Sequence, residues 1–287
     1  MKLIVITHVQ HIKDGNYYGY GPYVREMNIW FKYVDEVIIV APLINEKINP
    51  IFESYSRTQI HLNNFPNFSI TSISKLLKTL FKLPLLFKIV YKAMKQADHI
   101  HLRCPGNMGL IGACVQILFP NKPKTAKYAG NWDPRSKQPW SYRLQKWILS
   151  NTFLTRNMQV LVYGEWPNQT KNIKPFFTAT YSEAEVRGKK CEVRSVEEEV
   201  LKFLFVGTLS KGKQPLYAIQ LVEALYRQGK NVLLDLYGEG VLRKDLEHYI
   251  AQNKLEAIVT LKGNQTKETV LKAYQTSHFL ILPSKSE

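Results

Sequence analysis

The stretch FLFVGTLSKGKQP, residues 203–215, decides how the chain is read. An apolar run ends at Gly207, a loop carries Lys211 and Lys213, and Pro215 opens a helical pattern. A buried strand feeding a helix through such a loop directs backbone N–H groups, a helix dipole and ammonium charge toward one spot. Those are the components of a diphosphate site. Taken alone, the stretch is equally an ordinary strand–helix loop with solvated lysines.

Its neighbours narrow the choice. LLDLYGEG, 233–240, places Gly238 and Gly240 after a strand and before a helix, where glycine lets a ligand approach the backbone. As a dinucleotide fingerprint it fails, because the third glycine of G-x-G-x-x-G is Arg243. VTLKGNQTKE, 259–268, ends a strand at Gly263-Asn264, and FLILPSKSE, 279–287, ends another at Pro283-Ser284. Parallel strands bind ligands outside their carboxyl ends, so these loops share one edge. Their coincidence is more specific than any one of them.

Working outward, the strand–helix rhythm predicts strands over 201–206, 231–237, 257–261 and 278–282. Helices are predicted over 214–228, 241–253 and 267–276, with Thr266 as an N-cap. Before residue 180 the same rhythm predicts strands at Leu3–Thr7, Glu36–Ala41, His99–Arg103, Thr125–Ala129 and Gln159–Val162. Helices there fall near 22–33, 73–96, 107–119 and 140–152. The polar stretch 181–199 has no period and reads as a linker. The expected organisation is α/β: a Rossmann-like domain over 1–180, a linker over 181–199 and a second domain over 200–287.

In order and spacing, Val206-Gly207, Lys213, Gly238-Glu239-Gly240, Lys262-Gly263 and Pro283-Ser284-Lys285-Ser286-Glu287 resemble the C-terminal domain of GT-B glycosyltransferases. The resemblance is specifically to the retaining family 4 group, strong over 201–287 and looser before. It implies two Rossmann-like doubly wound domains facing a cleft, and transfer of a sugar from a nucleotide-diphosphate donor to a glycan or lipid-linked acceptor with retention. The implied setting is cell-surface polysaccharide synthesis. Two departures stand out. The arginine with which the family holds the diphosphate is Thr208, leaving Lys211 to supply charge. Glu287 corresponds to the first acid of a Glu pair that contacts donor sugar and ribose, so the second domain is expected to be incomplete. A catalytically inactive nucleotide-sugar-binding fragment is therefore the alternative reading.

The resemblance assigns Gly19, Gly21, Gly207, Thr208, Lys211, Lys213, Gly238, Glu239, Gly240, Asn264 and Glu287 to the donor. In KDGNYYGYGPYVRE, 13–26, Gly19 and Gly21 would bring the loop after the first strand against the donor phosphates, with a helix opening at Pro22. On the acceptor side stand Arg103, which could bind a phosphate or simply form a salt bridge, and Asn131, Trp132 and Asp133. Trp132 is either a sugar platform or core. No catalytic base stands out. No D-x-D or His/Asp/Glu cluster argues for a metal, and the only co-substrate expected is the nucleotide-diphosphate sugar.

Charge adds a partner. Net charge is +16, with 27 basic against 14 acidic residues over 1–198 and 12 against 9 over 199–287. The stretch 72–96 interleaves Lys75, Lys78, Lys82, Lys88, Lys92 and Lys95 with Leu, Ile and Phe. Six lysines and Pro84 exclude a membrane span, and the pattern suits a basic amphipathic segment on an anionic surface. The competing reading is a helix packed on the sheet with its lysines in water. No nucleic-acid recognition motif accompanies the charge. Three unspaced cysteines, Cys104, Cys114 and Cys191, fit a reducing compartment, and the expected location is cytoplasmic, peripheral on the inner face of the membrane.

Overall fold

In β1, Lys2–Ile6, the side chains of Leu3, Ile4, Val5 and Ile6 are all buried. A strand apolar on both faces needs a helical layer on each side, which is the situation in a parallel sheet. Alternation sorts the residues. Leu3 and Val5 pack with Tyr23, Val24, Met27 and Phe31 of α1, Gly21–Phe31. Ile4 and Ile6 pack with Leu86, Val90 and Met94 of α2, Ile73–Gln96, and with Met108 and Ile111 of α3, Asn107–Val115.

The computed structural model describes residues 1–65, 73–177 and 200–284, which divide into two compact units. Of the described residues, the first unit holds 1–48, 52–65 and 73–177, and the second 49–51 and 200–284. The predicted linker over 181–199 lies outside the described residues.

The first unit is built on a seven-stranded parallel sheet. Around β1 it adds β4, Glu36–Ala41, and β7, Ile60–Asn64, on one side. On the other side lie β8, His99–Cys104, β9, Lys124–Tyr128, β10, Met158–Val162, and β11, Ile173–Pro175. The spatial order is β11-β10-β9-β8-β1-β4-β7, so the chain reverses its direction of travel at β1. That reversal opens a crevice at the carboxyl ends of β1 and β8. Helix α4, Trp140–Ser150, connects β9 to β10.

The stretch 13–20, expected to be a loop, is instead part of a hairpin. β2, His11–Asp14, pairs antiparallel with β3, Asn16–Tyr20. β5, Leu43–Ile44, and β6, Phe52–Ser54, complete a small four-stranded sheet, β5-β2-β3-β6. The reason is packing: the buried His11 ring stacks on Tyr55 at 5.7 Å and meets Tyr23 edge-on at 6.1 Å, and Tyr17 packs on the same core.

The second unit has the parallel order β14-β13-β12-β15, from β12, Leu201–Val206, β13, Val232–Tyr237, β14, Val259–Gly263, and β15, Phe279–Leu280. The predicted helices appear as α5, Pro215–Arg227, α6, Arg243–Gln252, and α7, Lys267–Thr276. Thr266 caps α7 by accepting from Thr269 N at 3.3 Å. Phe203, Phe205, Leu234 and Leu236 of the sheet bury against Ala218, Ile219 and Val222 of α5.

Two buried imidazoles give the first unit an acid sensitivity. Burial pushes His101 down to about 3 and His11 down to about 4. Both titrate near 6.5 when the chain unfolds, so below that value the unfolded state takes up protons first. Stability is full above about 6.5 and falls as pH drops toward the folded values. Urea midpoints at pH 7 and pH 5 check this: the midpoint drops at pH 5, and His101→Gln flattens the dependence. A midpoint unchanged between the two contradicts it.

Candidate functional site

Register builds the first unit's site. Arg103 and Lys127 are partners in the parallel pairing of β8 with β9, so both side chains leave the same face at the carboxyl edge. Two cations side by side repel, and α1 supplies the remedy. Glu26 accepts from Arg103 Nη1 through both carboxylate oxygens at 2.8 Å, and from Lys127 Nζ at 2.9 Å. Lys127 is 1% exposed and Glu26 8%. The Lys127 ammonium also lies 4.8 Å from the Phe176 ring centroid and 5.3 Å from that of Tyr163, while Arg103 sits over Tyr23 at 5.5 Å. The cluster carries two positive charges and one negative.

Sequence reasoning named Arg103 as a phosphate ligand or a salt-bridge partner, and the structure shows the salt bridge; it did not name Glu26 or Lys127. The available signal was the pair of lysines in the strand KTAKY, Lys124 and Lys127, both of which are buried. A buried ammonium needs a partner: Lys124 Nζ donates to Phe119 O at 2.7 Å, whereas Lys127 takes the carboxylate of Glu26. The cis bond Cys104-Pro105 follows Arg103, and Gly106 lies against the His8 ring, lining the end of β8.

Of the two readings of Trp132, burial supports the core. Its side chain is 2% exposed, set edge-on to Tyr128 at 4.9 Å, and its indole N–H donates to Gln169 Oε1 at 2.8 Å. It is core. Asn131 and Asp133 instead order the loop, accepting from Asp133 N and Arg135 N at 2.8 Å each. Gly19 lies in β3 opposite His11 and Gly21 is the first residue of α1, both buried.

In the second unit three loops interlock at the carboxyl edge. Gly207 N donates to Tyr237 O at 2.9 Å, Leu209 N to Glu239 O at 3.0 Å, Leu242 N to Leu209 O at 3.1 Å and Gly238 N to Gly263 O at 2.9 Å. The glycines of 238–240 are needed for this knit as much as for any ligand. A Cβ on Gly238, whose φ is +137°, would lie 2.0 Å from Gly207 O, and one on Gly240 would lie 2.4 Å from Leu209 O.

Lys213 runs its stem beside Gly207, its Cγ 4.0 Å from where a Cβ there would sit. Gln214, in the left-handed region, then turns the chain into α5 at Pro215. Thr208 and Lys211 are exposed in the same loop, and Asn264 is half-buried at the end of β14. Glu239 is engaged by Arg243, which also donates from Nε to Glu247 at 2.8 Å. Arg243, the residue that breaks the dinucleotide fingerprint, thus clamps the loop. Glu287 lies outside the described residues. Among the described residues no group of three or more His, Cys, Asp or Glu is placed to hold a metal ion.

Comparison with known proteins follows the same division. Residues 188–287 match the family model of Glycosyl transferases group 1. A search of the curated proteins finds no match. Among solved structures, WaaG, a glycosyltransferase involved in lipopolysaccharide biosynthesis, is similar at 12% identity with a TM-score of 0.62, over 100% of this chain and 76% of that one. HepE from Anabaena, solved with UDP-glucose, is similar at 15% identity and a TM-score of 0.62, over 99% and 74%. Sucrose-phosphate synthase from Thermosynechococcus elongatus follows at 15% and 0.60, over 99% and 75%. The chain has the α/β fold of these GT-B glycosyltransferase structures, and its residues 188–287 match the Glycosyl transferases group 1 family.

Proposed function

We propose that the protein transfers a sugar from a nucleotide-diphosphate donor to a glycan or lipid-linked acceptor, with retention at the anomeric carbon, in cell-surface polysaccharide synthesis. The observation that carries this reading is the three-loop knit at the carboxyl edge of the second unit, with Lys213 laid beside Gly207. The diphosphate sits on the 207–214 loop, and Lys213, Lys211 and the start of α5 stabilise the charge it develops on leaving. No general base is required, since the departing phosphate assists deprotonation of the acceptor hydroxyl. Arg103, held by Glu26, takes the acceptor side. HepE, which binds UDP-glucose, supports the donor class.

Calorimetry with UDP, GDP and ADP, and with their glucose conjugates, tests this. One nucleotide binds, and Lys213→Ala weakens it about tenfold, the loss of one charge-assisted contact of about 1.4 kcal/mol. Lys211→Ala weakens it less. No binding of any nucleotide overturns the proposal. Binding without turnover leaves a nucleotide-sugar-binding chain.

A membrane surface is the second part of the reading. Along α2, Leu85, Phe87 and Tyr91 are exposed beside Lys88 and Lys92. The side chains of Lys75, Lys78 and Lys82 lie outside the described residues. Among those residues that are described, no helix is long and apolar enough to cross a membrane. The exposed arc of this helix sets Lys88 and Lys92 between Phe87 and Tyr91 on one side and Leu85 on the other, a mixed basic and apolar surface suited to an anionic bilayer. The protein sediments with anionic liposomes at low salt, and Lys88→Glu with Lys92→Glu releases it. Failure to sediment removes this part alone.

A further inference from the structure

A basic hollow lies at the opposite edge of the first unit's sheet. Where β9, β10 and β11 begin, an open hollow of about 730 Å³ is lined by Arg156, Lys171 and Lys174, with no Asp or Glu. A volume of this order suits a ligand of a few sugar rings. Parallel strands start on one edge and end on the other, so this hollow is separate from Arg103 and its neighbours.

The rest of the lining is rich in side-chain amides. Asn121, Asn157 and Gln159 contribute, and all three are exposed. Asn157 donates to Pro120 O at 3.1 Å, which fixes its orientation. Beside the lining Thr152, Phe153 is 71% exposed, and the Arg156 guanidinium lies over its ring at 4.7 Å. An isolated basic patch attracts any anion. Cations combined with amides and an exposed aromatic face match something narrower: a hydroxyl-rich ring that also bears negative charge.

We propose that this hollow binds an acidic saccharide, with its carboxylate or phosphate held by Arg156, Lys171 and Lys174, its hydroxyls by the amides, and one ring against Phe153. The site lies outside the transfer machinery, and its test reads binding alone. The full chain is titrated with tetragalacturonate, glucose 1-phosphate, maltotetraose, inorganic phosphate, and vesicles of phosphatidylglycerol or phosphatidylcholine.

Tetragalacturonate or glucose 1-phosphate binds more tightly than maltotetraose or inorganic phosphate. Lys171→Glu with Lys174→Glu weakens that binding about tenfold or more, and does so most at low salt. Arg156→Ser and Phe153→Ala each weaken it by a smaller factor, and nucleotide binding and the urea midpoint stay unchanged. Equal affinity in wild type and the double variant overturns the proposal. So does inorganic phosphate binding as tightly as the saccharides, which would mark a simple anion site. Loss of phosphatidylglycerol vesicle binding in the double variant, with no saccharide bound by the wild type, overturns it in favour of a lipid surface.

Discussion

Replacing Glu26 by glutamine lowers the stability of the first unit by about 3–5 kcal/mol, the cost of leaving buried charge without its partner. The size follows from burial. Lys127 is 1% exposed, and its carboxylate partner at 2.9 Å is also the partner of Arg103. Glutamine keeps the shape and removes the charge, so two cations face one another across neighbouring strands. Lys127→Met alone removes the deeper cation and leaves the Arg103–Glu26 pair intact, and costs less. The double variant with Glu26→Gln is more stable than the sum of the two single losses predicts, because the neutral amide then faces Arg103 alone. Urea unfolding of the four proteins measures this coupling. Additive losses show that Glu26 does not bridge the two cations, and the site must be rebuilt.

Gly238→Ala removes about 3 kcal/mol or more from the second unit and abolishes nucleotide binding with it. A methyl group there meets Gly207 O at 2.0 Å with φ at +137°, so overpacking and backbone strain add. The 207–210 backbone cannot yield cheaply, since Gly207 N and Leu209 N are both bonded to the 237–239 segment. Gly212→Ala is the control. Nothing lies within 4 Å of its added Cβ, and it stays within about 0.5 kcal/mol of wild type. If glycine at 238 serves only to admit a ligand, Gly238→Ala loses nucleotide binding and keeps its urea midpoint. That outcome separates the ligand role from the packing role.

The two residues mark how far the sequence could be read. At Gly238 the position was legible and its reason was half legible. The sequence shows a glycine between a strand and a helix, and ligand approach is the ready explanation. The first demand on it is the carbonyl of Gly207, 31 positions away, whose approach depends on how two loops meet. At Glu26 even the position was hidden. Within GPYVREMNIWF it is one acid on a helix that also bears Arg25 and Asn28. Only β8 and β9, more than 70 residues later, give it partners. Trp132 was ambiguous in the sequence: an aromatic at a strand end suits a sugar and a core alike, and burial against Tyr128 favours the core.

Local chemistry wrote the second unit almost in full. Strand and helix periods differ, Gly and Pro punctuate them, and Thr266 caps its helix within four residues, so each signal acts over a short span. The same signals recovered the long strands and helices of the first unit. They passed over the hairpin at 11–20, although it turns locally at Gly15, and the short strands β5, β6, β7 and β11; of these, β5 and β6 pair with strands some 30 residues away. The sequence by itself determined an α/β chain with two sets of parallel strands, and the loops at which the second set would meet a diphosphate. Tertiary structure alone decided which charges face one another, which aromatics are core and which glycines hold loops together. Ion pairing and close packing act through distances of a few ångströms, and residues distant in sequence reach those distances only when the sheet sets their register.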